Sequence, residues 1–556
     1  MPQDAFTISY IVRELKEKLT GGKISRIIQP SREELTFIIY TRNGNLKLDA
    51  CLSARGARLS VSDDEKPVPK VAPNFCMLLR KHLQNAEITD VAQPDCERII
   101  YFDLKCVSDF SSSVMRLYFE IMGKYSNAVL CGENGVIAGA LKTTSLGDGT
   151  KRLILGGVKY ALPEPQDKVP PTDINGLKRV LDCGGDRVKA IADGVRGISY
   201  ATALEAVEYL KNNLTAQGLY EYLNTQTPDP CVTCSNGEPN DFKVRSCSDE
   251  QVRYPTVLQA QAAYYSYLYK KQTFLEAKTK AESALGAGIK KTEKRLAEIN
   301  AKLLECEGAE KIKLKGELIT ANIYAVERGA KILECVNYYD PDCGKIKIEL
   351  DATLTPSQNA QKYYKKYAKL KRTYMNVSVQ KEQADKKLDY LKSIAAHLNV
   401  AEETPDIEEI SEELVQLGLL KTVKTKSKKQ SDTPYRTYEY GGFKILAGRN
   451  NLQNERLTKS LSQEDIWLHT QKYHSSHVAV ITDGRDVPDG VIKVAAEICA
   501  HYSDGKDGAK IPVDYTRKKF VKKPPKTDAG FVIYTDYKTA LAKPDAHREL
   551  LKENAK

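Results

Sequence analysis

The chain has 556 residues, 41% of them hydrophobic and 28% charged, a balance typical of a soluble protein with about three to four domains. Its formal net charge is +11, and the lysines behind that excess are clustered, which favours polyanions as partners over acidic proteins. No run of about 18 apolar residues marks a membrane span, residues 1–10 carry no secretory signal pattern, and the 13 cysteines read as reduced thiols of a cytoplasmic protein.

Helical spacing at Ile8, Ile11, Val12, Leu15 and Leu19, closed by Gly21 and Gly22, predicts a first helix. Strand-like runs follow at 23–29, 35–41, 46–50, 98–104, 115–121 and 128–131, with a helix over 74–83 after Pro73. Together they predict an N-terminal α/β domain over 1–170. Residues 171–250 turn helical, and the stretch from Gly194 to Ser199 joins two of the helices. That turn fits a helix-hairpin-helix, whose glycines let backbone amides approach phosphates, and it equally fits an ordinary αα-hairpin.

Residues 251–312 and 362–402 read as long helices. Tyr367, Leu370, Tyr374, Val377, Lys381, Ala384, Leu388, Leu391, Ala395 and Leu398, of which only Lys381 is charged, keep three-four spacing, as do Ile289, Thr292, Leu296, Ile299 and Leu303. The pattern predicts an antiparallel coiled-coil arm with a small tip domain over 313–361. At a helix rise of ~1.5 Å per residue, an arm of about forty residues reaches ~60 Å. An acidic stretch (Glu402, Glu403, Asp406, Glu408, Glu409, Glu412, Glu413) precedes Lys421, Lys424, Lys426, Lys428 and Lys429, predicting a linker over 403–434. Residues 435–556 again mix strands with a helix, so the whole reads as a multidomain α+β protein.

Three basic clusters stand out: 362–372, the linker lysines, and 517–526. The first interleaves cations with tyrosines. Lysines neutralise phosphates and aromatic faces stack on bases, so Lys362, Lys365, Lys366, Lys369, Lys518, Lys519, Lys522 and Lys523 are candidate RNA contacts. His469, His474 and His477 lie close together, but no cysteine or carboxylate array completes a site around them. Cys231 and Cys234, with Cys247, have zinc-like spacing in a segment read as a loop, without a second pair. No metal or cofactor is therefore expected. The phosphate-binding loop, the G-x-S-x-G elbow and H-E-x-x-H are all absent, so the chain is not expected to be an enzyme.

Several blocks carry more than composition does. PNFCMLLRKHL at 73–83 and EIMGKYSNAVL at 120–130 resemble the N-terminal domain of the NFACT family. GELITANIY at 316–324 and LTPSQNAQKYYKKY at 354–367 resemble its middle region. GRNN at 448–451, DIWLH at 465–469 and KIPVDYT at 510–516 resemble its C-terminal NFACT-R domain, which adds Arg449 to the candidate RNA contacts. The chain ends soon after the last block, as bacterial members do. The resemblance implies a monomeric cytoplasmic factor that binds the large (50S) ribosomal subunit, with its 23S rRNA, while that subunit still holds peptidyl-tRNA. It further implies recruitment of tRNA, namely alanyl-tRNA, alanine tailing of the stalled chain, help from an S4-domain protein of the RqcP type, and no membrane partner. Peptide transfer would belong to the ribosome's own centre.

The resemblance also implies tRNA-binding roles for Asp4, Glu97 and Arg98, with Glu97 standing where the family places Asp. Around Tyr473 to His477 the family's Pro-Gly is missing, so a different turn is expected there. Trp467 and His469 suit RNA contact, but a buried strand residue is the commoner reading of such a tryptophan. Two rival functions remain. Family members carry a fibronectin-binding label, which would suit a surface adhesin. A DNA glycosylase would use the Pro2 amine, but Gln3 stands where such enzymes place glutamate.

Overall fold

The computed structural model describes residues 3–108, 111–144, 152–245, 250–341, 343–421 and 433–548. The chain divides into two compact units, Met1–Lys271 and Gln272–Lys556.

In the first unit, α1 (Ala5–Leu19) starts at the N-cap Asp4 and buries the full stripe Ile8, Ile11, Val12, Leu15 and Leu19. The strands are β1 (Lys23–Ser31), β2 (Glu34–Thr41), β3 (Gly44–Cys51) and β4 (Arg58–Val61). After α2 (Asn74–Leu83) come β5 (Glu87–Ala92), β6 (Ile99–Ser108), β7 (Ser111–Glu120), β8 (Asn127–Gly132) and β9 (Ile137–Ala140). They form one sheet in the order β4-β3-β2-β1-β5-β6-β7-β8-β9, two meanders joined where Lys23 of β1 pairs with Glu87 of β5. Every pairing is antiparallel. This corrects the expected α/β domain to α+β: parallel neighbours need crossovers of a dozen or more residues, and connections such as the two residues between β2 and β3 are too short.

Four helices follow: α3 (Ile174–Asp182), α4 (Arg187–Gly194), α5 (Tyr200–Leu210) and α6 (Ala216–Asn224). Their Leu177, Ile191, Ala203 and Leu219 join the same core as Ile8 and Leu15. A small sheet of β10 (Cys231–Ser235), β11 (Glu238–Lys243) and β12 (Gln251–Arg253) comes next. The Cys231 and Cys234 segment is thus a strand, not a loop, and Cys231 is buried. Cys247 lies outside the described residues.

In the second unit, the later turns of α7 (Val257–Glu307) lead through α8 (Ala309–Ala321), β13 (Ile332–Val336) and β14 (Lys345–Glu349) to α9 (Pro356–Asn399). Helix α9 opens six residues before the expected 362, where Thr355 and Gln358 form a capping box around Pro356. Ala281 and Leu285 cluster with Leu391, Ile394 and Leu398, whereas Leu296 and Ile299 cluster with Val377 and Ala384. The two helices therefore run in opposite directions. Leu318 and Ile319 of α8 pack on Leu333 and Ile348 of the β13–β14 hairpin.

The acidic half of the expected linker is a helix, α10 (Thr404–Gln416). Ile407, Ile410 and Leu414 bury one stripe against Leu391 and Ile394. Asp406, Glu409 and Glu413 bury an adjacent stripe, so acidity here marks an internal face. Lys424, Lys426, Lys428 and Lys429 lie outside the described residues.

The remainder is β15 (Arg436–Tyr440), β16 (Phe443–Ala447), α11 (Asn451–Ser460), β17 (Ile466–Thr470), β18 (Val478–Ile481), α12 (Asp489–His501), β19 (Ile511–Arg517), β20 (Val521–Lys522), β21 (Ile533–Tyr534) and β22 (Lys538–Ala542). Its main sheet runs β15-β16-β18-β17-β19-β22, with Val491, Val494 and Ile498 of α12 in a core shared with Ile445, Leu468 and Val480.

A buried ion network ties α10 to this sheet. Asp406 is 0% exposed; one oxygen pairs with Arg436 at 2.9 Å and with Arg449, and the other accepts the Glu402 and Glu403 amides at 3.0 and 3.1 Å. Burial pushes the Asp406 carboxyl up, but the two guanidiniums and the amides more than offset it, leaving it below its usual range. A depressed folded pKa stabilises above the unfolded value and is lost as pH falls below about 4. Asp406→Asn should cost the C-terminal unit about 3–5 kcal/mol at pH 7, by leaving the buried Arg436 guanidinium without its carboxylate and Arg449 with Glu403 alone. Calorimetry should show the gap from the parent narrowing as pH drops from 4 towards 2.5.

Candidate RNA-contacting surfaces and the C-terminal cavity

The expected tRNA group is assembled around the turn between α4 and α5. Asp4 is only 7% exposed and its carboxylate is engaged on all sides. One oxygen caps α1 through the Thr7 amide at 2.9 Å; the other accepts the Ser199 amide at 2.9 Å and the Thr202 hydroxyl at 2.6 Å. Asp4 is therefore a positioning group, not one presented to a ligand. Pro2 lies outside the described residues.

Glu97 and Arg98 sit on the turn before β6. Gln93 donates to the carbonyls of Ala5 and Glu97 at 2.9 and 2.8 Å, which fixes this turn beside the start of α1. Burial pushes the Glu97 carboxyl above its usual range, against the pull of Arg98 and Arg196. Arg196 reaches the same turn and pairs with Asp95 at 2.7 Å. In the sequence it is one residue of the turn between two helices, with no sign of this partner. The half-buried Arg98 guanidinium makes no ion pair or hydrogen bond among the described residues, so it is the cation here available to an outside anion.

Gly197 makes the junction possible. Its φ is +75°, its carbonyl accepts the Ala5 and Phe6 amides, and a Cβ would stand 2.8 Å from both Ala5 Cβ and Cys96 O. The glycine of the expected phosphate-binding turn thus packs against protein.

Of the lysines on α9, Lys365, Lys366 and Lys369 are exposed, and Lys362 pairs with Asp351 at 2.9 Å. On the 517–526 segment Lys522 is exposed, Lys519 pairs with Glu464 at 3.1 Å and Lys523 with Glu455 at 2.5 Å. Lys518 donates to the Val521 carbonyl. Exposed pairs of this kind are worth ~0–1 kcal/mol, so a phosphate can displace them. Arg449 is a correction: it is 6% exposed and held by Asp406, Glu403 and the Pro434 carbonyl, which removes it from the RNA-facing set.

A cavity of about 370 Å³ lies between the end of α9, the start of α11, β17 and the loop over 526–534. His397, Asn451, Asn454, Trp467, His469 and His477 line it. Burial pushes His397 down to about 3 and His469 down to about 4, and holds His477 well below its usual range. All three imidazoles are neutral at pH 7. In the turn before His474, Lys472 is a non-glycine residue with φ 60°, and Tyr473 is 42% exposed. Sequence reasoning noted Trp467 and the histidines of β17 and its loop singly and missed His397, Asn451 and Asn454. The usable signal was an amide-rich helix start, Asn450 to Asn454, whose amides are buried.

No group of three or more His, Cys, Asp or Glu among the described residues could hold a metal ion, and no described helix is long and apolar enough to cross a membrane.

A family model described as the NFACT N-terminal and middle domains matches residues 4–433, and one described as the NFACT protein RNA binding domain matches residues 434–536. The Bacillus subtilis (strain 168) protein named Rqc2 homolog RqcH is 33% identical over 555 residues, spanning 96% of this chain and 97% of that protein. The Saccharomyces cerevisiae protein named Ribosome quality control complex subunit 2 is 27% identical over 130 residues, 23% of this chain and 12% of that one. Among solved structures, the N-terminal part of the fibronectin/fibrinogen-binding protein from Streptococcus suis is similar with a TM-score of 0.44 and 24% identity, over 47% of this chain and 98% of that one.

Substituting Gly197→Ala should destabilise the N-terminal unit by about 2–3 kcal/mol, combining a left-handed backbone with two close contacts. Thermal unfolding measures it, and an unchanged melting temperature would contradict the packing described.

Proposed function

The chain belongs to the NFACT family, and on that premise we propose that it is a cytoplasmic ribosome quality control factor acting through RNA contacts. In this reading it binds the large (50S) subunit while peptidyl-tRNA is still held there and brings alanyl-tRNA to it. The stalled chain then receives a C-terminal alanine tail and is degraded. Peptide transfer remains ribosomal, so this chain serves as a positioning factor and not an enzyme. An S4-domain protein of the RqcP type would assist it.

The observation that carries the reading is the match to an RNA-binding domain at 434–536 within a chain that aligns end to end with an RqcH protein. Charge supports it. Arg98, whose half-buried guanidinium lies near Glu97 and makes no hydrogen bond among the described residues, suits a tRNA phosphate, and Glu97 can accept from a base or ribose. Asp4 acts at one remove, by holding the turn that carries Ser199. The opposed helices α7 and α9 would serve as the coiled-coil arm, and the exposed lysines of α9 would meet ribosomal RNA.

The triple variant Lys365→Ala, Lys366→Ala, Lys369→Ala should bind purified large subunits roughly tenfold more weakly. The slope of log K against log salt should become shallower by about 3, one for each lost phosphate contact. Co-sedimentation across a salt series measures both; equal slopes for parent and variant would sink the assignment of this face.

A further inference from the structure

The cavity beside Trp467 has a chemistry that phosphate neutralisation leaves unused. Its volume, about 370 Å³, is within the ~300–1,000 Å³ of small-ligand pockets. Its wall is aromatic: Trp467, His469, His477 and Tyr534 have ring centroids 5.0–5.8 Å apart. Behind the wall the Trp467 indole N–H is buried without an acceptor among the described residues, and the wall itself carries an unmatched acceptor. His469 Nδ1 lies 2.7 Å from the Thr470 carbonyl, so in a neutral ring that nitrogen must be the donor and Nε2 is left as a lone-pair acceptor with no partner among the described residues.

Neutral walls do not suit an anion, but they suit a flat uncharged ring with donors and acceptors on its edge. The rim supplies the rest. Lys386, paired with Glu382 at 2.6 Å, and Lys526, which continues the basic 517–526 segment, line the cavity beside the carboxylates Asp528 and Asp389, the latter 3.6 Å from His474. Phe531, 51% exposed, stands at the rim as a stacking face.

We infer that this cavity receives a single unstacked nucleobase from an RNA strand, with the strand's phosphates kept outside on the lysines of the rim. The inference rests on the RNA-binding reading above and adds a base-sized subsite to it. A free mononucleotide offers the same chemistry as an extruded base, so both are probed.

The chain contains one tryptophan, Trp467, so its fluorescence reports on the cavity alone. The full-length protein is titrated with AMP, GMP, CMP and UMP and with single-stranded 12-mer RNAs, while filter binding measures the same RNAs independently. The expected result is a saturable change in Trp467 emission whose midpoint matches filter binding. Phe531→Ala should raise that midpoint about tenfold through lost stacking, and His469→Phe about fivefold through the lost acceptor. Phe531 is exposed, so its variant keeps the test valid if His469→Phe folds poorly. A response to oligonucleotides alone identifies a base extruded from a strand. A response to mononucleotides without filter-bound RNA keeps the pocket and overturns the strand as its source. RNA retained on filters with Trp467 emission unchanged overturns the pocket and leaves the RNA-binding reading standing; no RNA on filters and no emission change removes both.

Discussion

Asp406 has no exposure to water, and a carboxylate in that position persists only where ion pairs and hydrogen bonds return what desolvation removes. Here two guanidiniums and two amides do so. The partners are not local. Asp406 is within the stretch matched by the N-terminal and middle family model, whereas Arg436 and Arg449 are within the stretch matched by the RNA-binding model. The network therefore joins two family segments into one folded body. It also turns Arg449, a residue that looks like an RNA ligand, into a structural cation.

The same carboxylate seats α10 so that its neighbours can work. Asn450 caps α11 and donates to the Glu409 carbonyl at 2.8 Å; Asn451 donates to Glu413 at 3.0 Å. With α11 held from that side, Asn451 and Asn454 face His397 at 3.3 and 3.4 Å and complete the cavity wall. In the first unit a different buried carboxylate plays the corresponding part. Asp4 caps α1 and grips the turn after α4, and through that grip Arg196 arrives beside Glu97.

Much of the fold was legible because it follows local periodicity. The α1 stripe, the bounds of α2, six of the first sheet's strands and both long helices came from spacing and caps alone. The short strands β4, β5 and β9 were missed, for a four- to six-residue run seldom shows a full alternation. Helix α10 was missed for another reason: charge was read as solvation, and only the partners distant in sequence show that Asp406 is internal. The candidate site divides in the same way. Glu97 and Arg98 were legible only through the family resemblance, whereas exposed lysines announce themselves by clustering. Arg196 joins them across about a hundred residues, through a glycine whose left-handed backbone no spacing rule reveals. The cavity draws on α9, α11, β17 and a late loop, so its members could be noted one by one but not assembled.

The most direct test of the account is to purify the tagged protein from its own cells and sequence the RNA bound to it. The account predicts large-subunit ribosomal RNA together with selective enrichment of alanine tRNA, the latter lost in Arg98→Ala. Recovery of no ribosomal RNA above an untagged control would contradict it.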